Sequence, residues 1–135
     1  MSKTETFDWD VRVRYSETDQ MGVTYYANYF VWFEVARTEY FRSKSIAYTD
    51  IEKRQIFLAV VDCQCRYLAP TRYDDLVTVR TWISKLGKTS LRFGYELFEK
   101  NSGKRIAEGS SSHVFVNSSI EPVRVPEEVL RAFHS

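Results

Sequence analysis

The sequence predicts an α+β fold in which one curved antiparallel sheet wraps one long helix. Three observations carry that expectation. Apolar and polar residues alternate near the N-terminus, a long stretch from 28 to 43 is apolar at helical spacing, and four consecutive β-rich segments follow between 56 and 117.

From Phe7 to Tyr15, apolar Phe7, Trp9, Val11, Val13 and Tyr15 alternate with Asp8, Asp10, Arg12 and Arg14. This is the pattern of a strand with one face buried. Over residues 28 to 43, Tyr29, Trp32, Phe33, Ala36 and Tyr40 share one side, and Asn28 is placed to act as the N-cap. Phe30, Val31, Val35 and Phe41 extend apolar surface around the helix, so more than one flank must cover it.

The segments IFLAVVDCQCRYLA, LVTVRTWISKL, KTSLRFGYELFEK and KRIAEGSSSHVFVN then read as four strands. Turn signals separate them at Pro70 to Asp75, Leu86-Gly87-Lys88 and Asn101-Ser102-Gly103. In the first, Phe57, Ala59, Val61, Cys63, Cys65, Tyr67 and Ala69 form one apolar face, while the other face changes from Ile56, Leu58 and Val60 to Asp62, Gln64 and Arg66. Its first half is therefore expected to be buried on both sides. Pro126, followed by Glu127 and Glu128, opens a short C-terminal helix carrying Val129, Leu130 and Phe133. Open sheet edges in such a fold favour pairing of two copies.

With 135 residues, 44% of them hydrophobic, the chain fits a single domain over 1–135. A formal net charge of +1, with 19 basic and 18 acidic residues scattered along the chain, argues against nucleic acid as a partner. Apolar runs such as IFLAVV fall short of the roughly 18 residues that span a bilayer, and the start MSKTETFDWD lacks the apolar stretch of a signal peptide. The expected location is cytoplasmic. Cys63 and Cys65 match no zinc pattern and read as small hydrophobes on a strand face. No glycine-rich phosphate loop and no zinc-hydrolase motif is present, so no cofactor or metal is expected. His113, on a strand, and His134, in the tail, suggest no triad.

The stretch YSETDQMGVTYYANYF, residues 15 to 30, joins the first strand to the helix. Ser16 to Asp19 fits a capping box, but Gly22, Val23 and Thr24 oppose a helix start there, and Asp19 also suits an Asx turn. A functional reading stands beside the structural ones. Asp19 would present a carboxylate near the unpaired amides of the helix N-terminus, which can polarise a carbonyl oxygen. A carboxylate and an oxyanion donor suffice for acyl hydrolysis.

These residues carry a resemblance. The run Asp19, Gly22, Tyr25, Tyr26, Asn28 and Tyr29, followed by Ala36-Arg37 and Glu39 and later by Tyr67, Pro70, Tyr73, Asp74 and Asp75, is similar to the hotdog-fold acyl-CoA thioesterases of the 4-hydroxybenzoyl-CoA thioesterase family. The resemblance runs from Val11 to Pro126. It implies that Asp19 is the catalytic carboxylate and that the backbone amide of Tyr26 faces the thioester carbonyl. Many bacterial members associated with the Tol-Pal envelope system have histidine where this chain has Tyr26, whereas the aromatic-substrate enzyme that names the family has tyrosine.

The resemblance also bears on substrate contacts. Gly22, Tyr25, Asn28 and Tyr29 are assigned to the substrate site, with Asn28 fixing the amides beside Tyr26 and the tyrosines either lining an acyl pocket or packing in the core. Lys85, Lys88, Thr89, Ser90 and Arg92 surround a hairpin that in the family meets the phosphates and pantetheine arm of coenzyme A, often across a subunit boundary. The expected partner is an acyl-CoA, and the expected assembly a homodimer or homotetramer. Two rivals stand against hydrolysis: a hydroxyacyl dehydratase, which usually pairs a histidine with the acid, and a catalytically silent acyl-binding or scaffold subunit.

Overall fold

A computed structural model describes residues 5–133. Strand β1 spans Phe7–Arg12, helix α1 Asn28–Ser43, α2 Tyr48–Glu52, β2 Phe57–Tyr67, β3 Leu76–Leu86, β4 Ser90–Glu99, β5 Arg105–Val116 and α3 Glu127–Phe133. The strands form one five-stranded sheet in the order β1-β3-β4-β5-β2. Every pairing is antiparallel. The sheet curves around α1, whose Tyr29, Trp32, Phe33, Ala36, Tyr40 and Phe41 are buried against Val77, Val79, Leu91, Phe93, Tyr95, Leu97 and Phe115. At the centre the rings of Phe33 and Tyr95 stack at 4.0 Å.

Two glycines allow close approaches in the sheet. Gly109 faces the helix, and a Cβ there would stand 2.7 Å from Phe33 Cζ. Gly94 pairs with Trp82, whose ring covers the place a side chain would take.

Several expectations are corrected. The first strand ends at Arg12, not at Tyr15, because Tyr15–Glu17 turn into a 3-10 helix. Tyr15 is consequently exposed rather than on the buried face. The N-cap of α1 is Ala27, not Asn28. Helix α2 is not expected from the sequence, since five residues are too few to establish an apolar period.

The largest correction concerns β2. Its register on β5 shifts between Val60 and Asp62, so one residue drops out of the alternation. Leu58 and Val60 therefore lie opposite Phe115 and His113 on the helix side, and beyond the bulge Cys63, Cys65 and Tyr67 take that side opposite Ser111, Gly109 and Ala107. Nor is the first half buried on both sides: Val60 is 53% and Val61 59% exposed in the single chain. β2 is an edge strand, and no described element of its own chain pairs with its open edge.

Candidate active site

The junction is held from below by Glu17, a residue the sequence reading did not single out. The residue is only 4% exposed. Oε1 accepts the Arg14 backbone N–H at 2.8 Å, and Oε2 accepts Trp32 Nε1–H at 3.0 Å. The Glu17 carbonyl accepts the Tyr25 N–H at 2.8 Å and Asn28 Nδ2–H at 3.0 Å. One buried residue thus ties the end of the strand, the loop and the start of the helix together. Asn28 works as a tether across the loop, not as a cap.

Above this anchor the chain folds back on itself through a bridge between Thr18 and Thr24. The Asp19 N–H donates to the Val23 carbonyl and the Gly22 N–H to the Asp19 carbonyl, each at 2.9 Å. Gly22 has φ +80, a backbone conformation that a side chain strains, so glycine is required by the turn itself. Asp19 is half-buried, and its Oδ1 accepts the Met21 N–H at 2.9 Å, which is the Asx turn. Among the described residues Oδ2 has no hydrogen-bond donor. The charge of Asp19 is felt nearby: the Tyr25 hydroxyl titrates above its ordinary value, first through the neighbouring Tyr26 hydroxyl and also through Asp19.

The helix begins with a tight turn. Asn28, Tyr29 and Phe30 N–H groups donate to the carbonyls of Tyr25, Tyr26 and Ala27 at 3.0, 3.2 and 3.2 Å. Among the described residues the N–H groups of Tyr26 and Ala27 have no acceptor, and they stand at the positive end of a 16-residue helix. The Tyr26 carbonyl accepts the Tyr67 hydroxyl at 3.0 Å, which fixes the peptide orientation from β2. Tyr67 lies within the sequence motif but carried no assigned role; its partner comes from 41 residues away.

The three tyrosines separate. Tyr29 is buried in the core, with its hydroxyl 3.1 Å from Thr71 Oγ1, and burial pushes its phenol up. Tyr25 and Tyr26 stay on the surface, their rings 4.7 Å apart, and Tyr26 is 58% exposed. Arg72, also unassigned from sequence, points Nη1 at the Gly22 carbonyl at 3.5 Å and supplies a cation beside the loop.

The basic hairpin is not at this end of the chain. The loop meets the start of β3, where the Val13 N–H donates to the Asp75 carbonyl. Lys85, Lys88, Thr89, Ser90 and Arg92 sit at the other end, around the turn closed by Gly87 N–H to Ser90 O at 2.8 Å. Ten residues of strand separate the ends, about 33 Å. Part of the hairpin is also engaged within the chain: the Thr89 carbonyl accepts the Phe115 N–H, the Lys88 carbonyl accepts the Val125 N–H, and Arg92 Nη2 donates to Ser110 Oγ.

Cys65 is half-buried, and burial pushes its thiol up to about 11, so it remains protonated near neutrality. Cys63 is exposed in the single chain. Among the described residues no three His, Cys, Asp or Glu side chains form a metal-ligating group, and no helix is long and apolar enough to cross a membrane. His134 lies outside the described residues.

Comparison with known proteins shows the family and the fold. Residues 13–133 match the family model described as the thioesterase-like superfamily. YneP of Bacillus subtilis is 36% identical over 116 residues, covering 85% of this chain and 83% of that protein. Acyl-CoA thioesterase YbgC of Haemophilus influenzae is 33% identical over 129 residues, covering 95% and 94%. The crystal structure of a DHNA-CoA thioesterase from Staphylococcus aureus superposes with a TM-score of 0.85 at 33% identity, over 88% of this chain and 80% of that one. The sheet wrapped around α1 is the hotdog fold. With almost its whole length matched, the chain belongs to the thioesterase-like superfamily and is an enzyme of the acyl-CoA thioesterase class.

Proposed function

We propose that the chain hydrolyses an acyl-CoA thioester at the junction between Asp19 and the start of α1. One observation supports this reading above the others. A carboxylate with one oxygen held by Met21 and the other free is followed, across a tight turn, by helix-terminal amides with no acceptor. Asp19 takes a proton from the water that attacks the thioester carbonyl, or attacks the carbonyl itself, in which case water afterwards cleaves the acyl–Asp19 anhydride to release the acid and regenerate the carboxylate. The Tyr26 N–H receives the developing oxyanion, the carbon–sulfur bond breaks, and the thiolate of coenzyme A leaves and is protonated.

The functional unit in this reading is a dimer, or a tetramer of two dimers, joined along β2. That strand offers an unpaired backbone edge and exposed Val60 and Val61. Antiparallel pairing across a two-fold axis would bring the Phe57 end of one copy toward the Tyr67 end of the other. The partner's sheet end that carries the basic hairpin then approaches Asp19, and its lysines and arginine meet the phosphates of coenzyme A. An exposed, unbridged Cys63 suits a reducing compartment such as the cytoplasm.

The test is thiol release over short, long, branched and aromatic acyl-CoAs. The aromatic set is included because a relative at 33% identity is named for a DHNA-CoA substrate. Asp19→Asn lowers kcat by about 10²- to 10⁴-fold, the usual contribution of a positioned proton-transfer group. Near-normal turnover in a folded Asp19→Asn protein overturns the assignment.

A further inference from the structure

Tyr67 reaches from the last position of the edge strand β2 to the first turn of α1. Its hydroxyl donates to the Tyr26 carbonyl at 3.0 Å, and that carbonyl also accepts the Tyr29 N–H at 3.2 Å. The ring stands edge-on to Tyr29 at 5.0 Å and to Tyr26 at 6.2 Å, so the hydroxyl has a fixed place. Burial first, then Cys65, holds the phenol above its ordinary value, so it stays protonated and donates across the physiological range. A carbonyl that closes a helical turn is already satisfied without a second donor. Tyr67 is 43% exposed, and water would serve the carbonyl in its place. Stability alone gives little reason for this contact.

The other end of the same peptide gives one. A trans peptide carries its C=O and N–H on opposite sides, so the group that answers the Tyr26 carbonyl is the Ala27 N–H. Ala27 has φ −64 and ψ −23, helical rather than the extended geometry usual at an N-cap. Its N–H therefore points toward the N-terminal end of α1, the end at which the loop carrying Asp19 enters. Ala27 is exposed, and among the described residues its N–H has no acceptor. A hydroxyl bonded to the carbonyl polarises the amide, which makes the N–H a stronger donor, and also keeps the peptide from rocking. The Tyr26 N–H belongs to the preceding peptide, whose Tyr25 carbonyl is met by the Asn28 N–H and not by Tyr67. Tyr67 thus acts on one of the two free amides and leaves the other alone.

We propose that Tyr67 is a positioning residue for thioester hydrolysis: through the Tyr26 carbonyl it aims and polarises the Ala27 N–H, a second donor to the oxyanion beside the Tyr26 N–H. The proposal rests on the thioesterase reading and deepens it. Its effect falls on the transition state, because the charge on the thioester oxygen is small in the bound substrate and develops as the tetrahedral state forms.

Tyr67→Phe tests it, since the ring contacts with Tyr26 and Tyr29 stay and only the hydroxyl goes. kcat and kcat/KM fall together by about three- to thirtyfold with KM unchanged, as for an interaction made only in the transition state. Loss of a whole oxyanion donor costs about 10²–10³ in kcat, so loss of its positioning partner costs less. The urea midpoint stays close to that of wild type, whereas a merely structural hydroxyl would move the midpoint and leave kcat. A second measurement needs no turnover. Octanoyl-CoA and benzoyl-CoA, isotope-labelled at the thioester carbon, are bound to Asp19→Asn protein, and the carbonyl stretch is read by infrared difference spectroscopy. That frequency registers even a weak hydrogen bond that adds little to affinity. The bound stretch lies below its solution value, and adding Tyr67→Phe moves it part of the way back. A kcat within about twofold of wild type in folded Tyr67→Phe overturns the proposal. So does a carbonyl stretch that binding does not lower for either compound, or that Tyr67→Phe leaves unmoved. Absence of thiol release from every acyl-CoA overturns the hydrolase reading instead, and the infrared arm still decides this one.

Discussion

Glu17→Gln is the substitution that most directly probes how the junction is held. The glutamate accepts two N–H groups on separate oxygens, Arg14 N–H on Oε1 and Trp32 Nε1–H on Oε2. Glutamine has nearly the same shape but only one carbonyl oxygen. Whichever donor that oxygen accepts, the amide N–H₂ faces the other, and a buried N–H is left unpaired. A hydrogen bond to a charged group contributes about 1.5–3 kcal/mol, and an orphaned buried donor costs about 1–3 kcal/mol. Because these figures overlap for one lost contact, the expected destabilisation is about 2–3 kcal/mol. The exposed Arg14 guanidinium at 3.4 Å adds little to it.

Trp32→Phe removes the same hydrogen bond from the other side and lets the glutamine oxygen serve Arg14 alone. The double variant should therefore be less destabilised than the sum of the two singles, with a coupling of about 1 kcal/mol or more. Urea unfolding at constant m-value measures the three variants. If Asp19 is the reacting carboxylate as proposed, turnover where Glu17→Gln stays folded should also fall, about tenfold in kcat, since Asp19 lies two residues on and small displacements of a reacting group are costly. A Glu17→Gln protein within about 0.5 kcal/mol of wild type, or a cycle with no coupling, refutes the claim that this carboxylate organises the junction.

Gly109→Ala should cost about 2–3 kcal/mol in urea unfolding, because the new Cβ meets Phe33 Cζ at 2.7 Å and the Gln64 carbonyl, and backbone cannot move aside cheaply. His113, whose folded value lies near 4 against an ordinary 6.5, favours its neutral form in the native state. Its contribution is therefore fully present above about 6.5 and is lost as pH falls toward 4, by up to about 3 kcal/mol at about 1.4 kcal/mol per unit. Unfolding midpoints of wild type and a folded His113→Asn protein across that window measure it; parallel profiles would count against it. Val61→Asp, placed on the bare edge strand, should shift the solution mass toward the single chain, as read by sedimentation, while an unchanged mass would remove β2 from the interface.

The sequence by itself determined the class and order of the main elements, because period and composition are local. The alternation around Val11, the helical stripe through Trp32, Phe33 and Ala36, and the Pro126-Glu127-Glu128 start each depend on residues only a few positions apart. The Asx turn at Asp19 was legible for the same reason: the turn that Gly22 permits and the helix it precedes lie within ten residues. What the tertiary structure decided concerns partners distant along the chain. The bulge at Val61 reassigned one face of β2 because register is set by β5, some 50 residues later. Glu17 and Tyr67 acquired roles only when Trp32 and the Tyr26 carbonyl came within hydrogen-bond reach. His113 gave no sign in sequence, since its unpaired Nδ1 depends on Arg37, Tyr95 and Ser111 meeting around it from a helix and two strands. Periodicity tells which way a side chain faces along its own element; which groups it then meets depends on how separate elements pack.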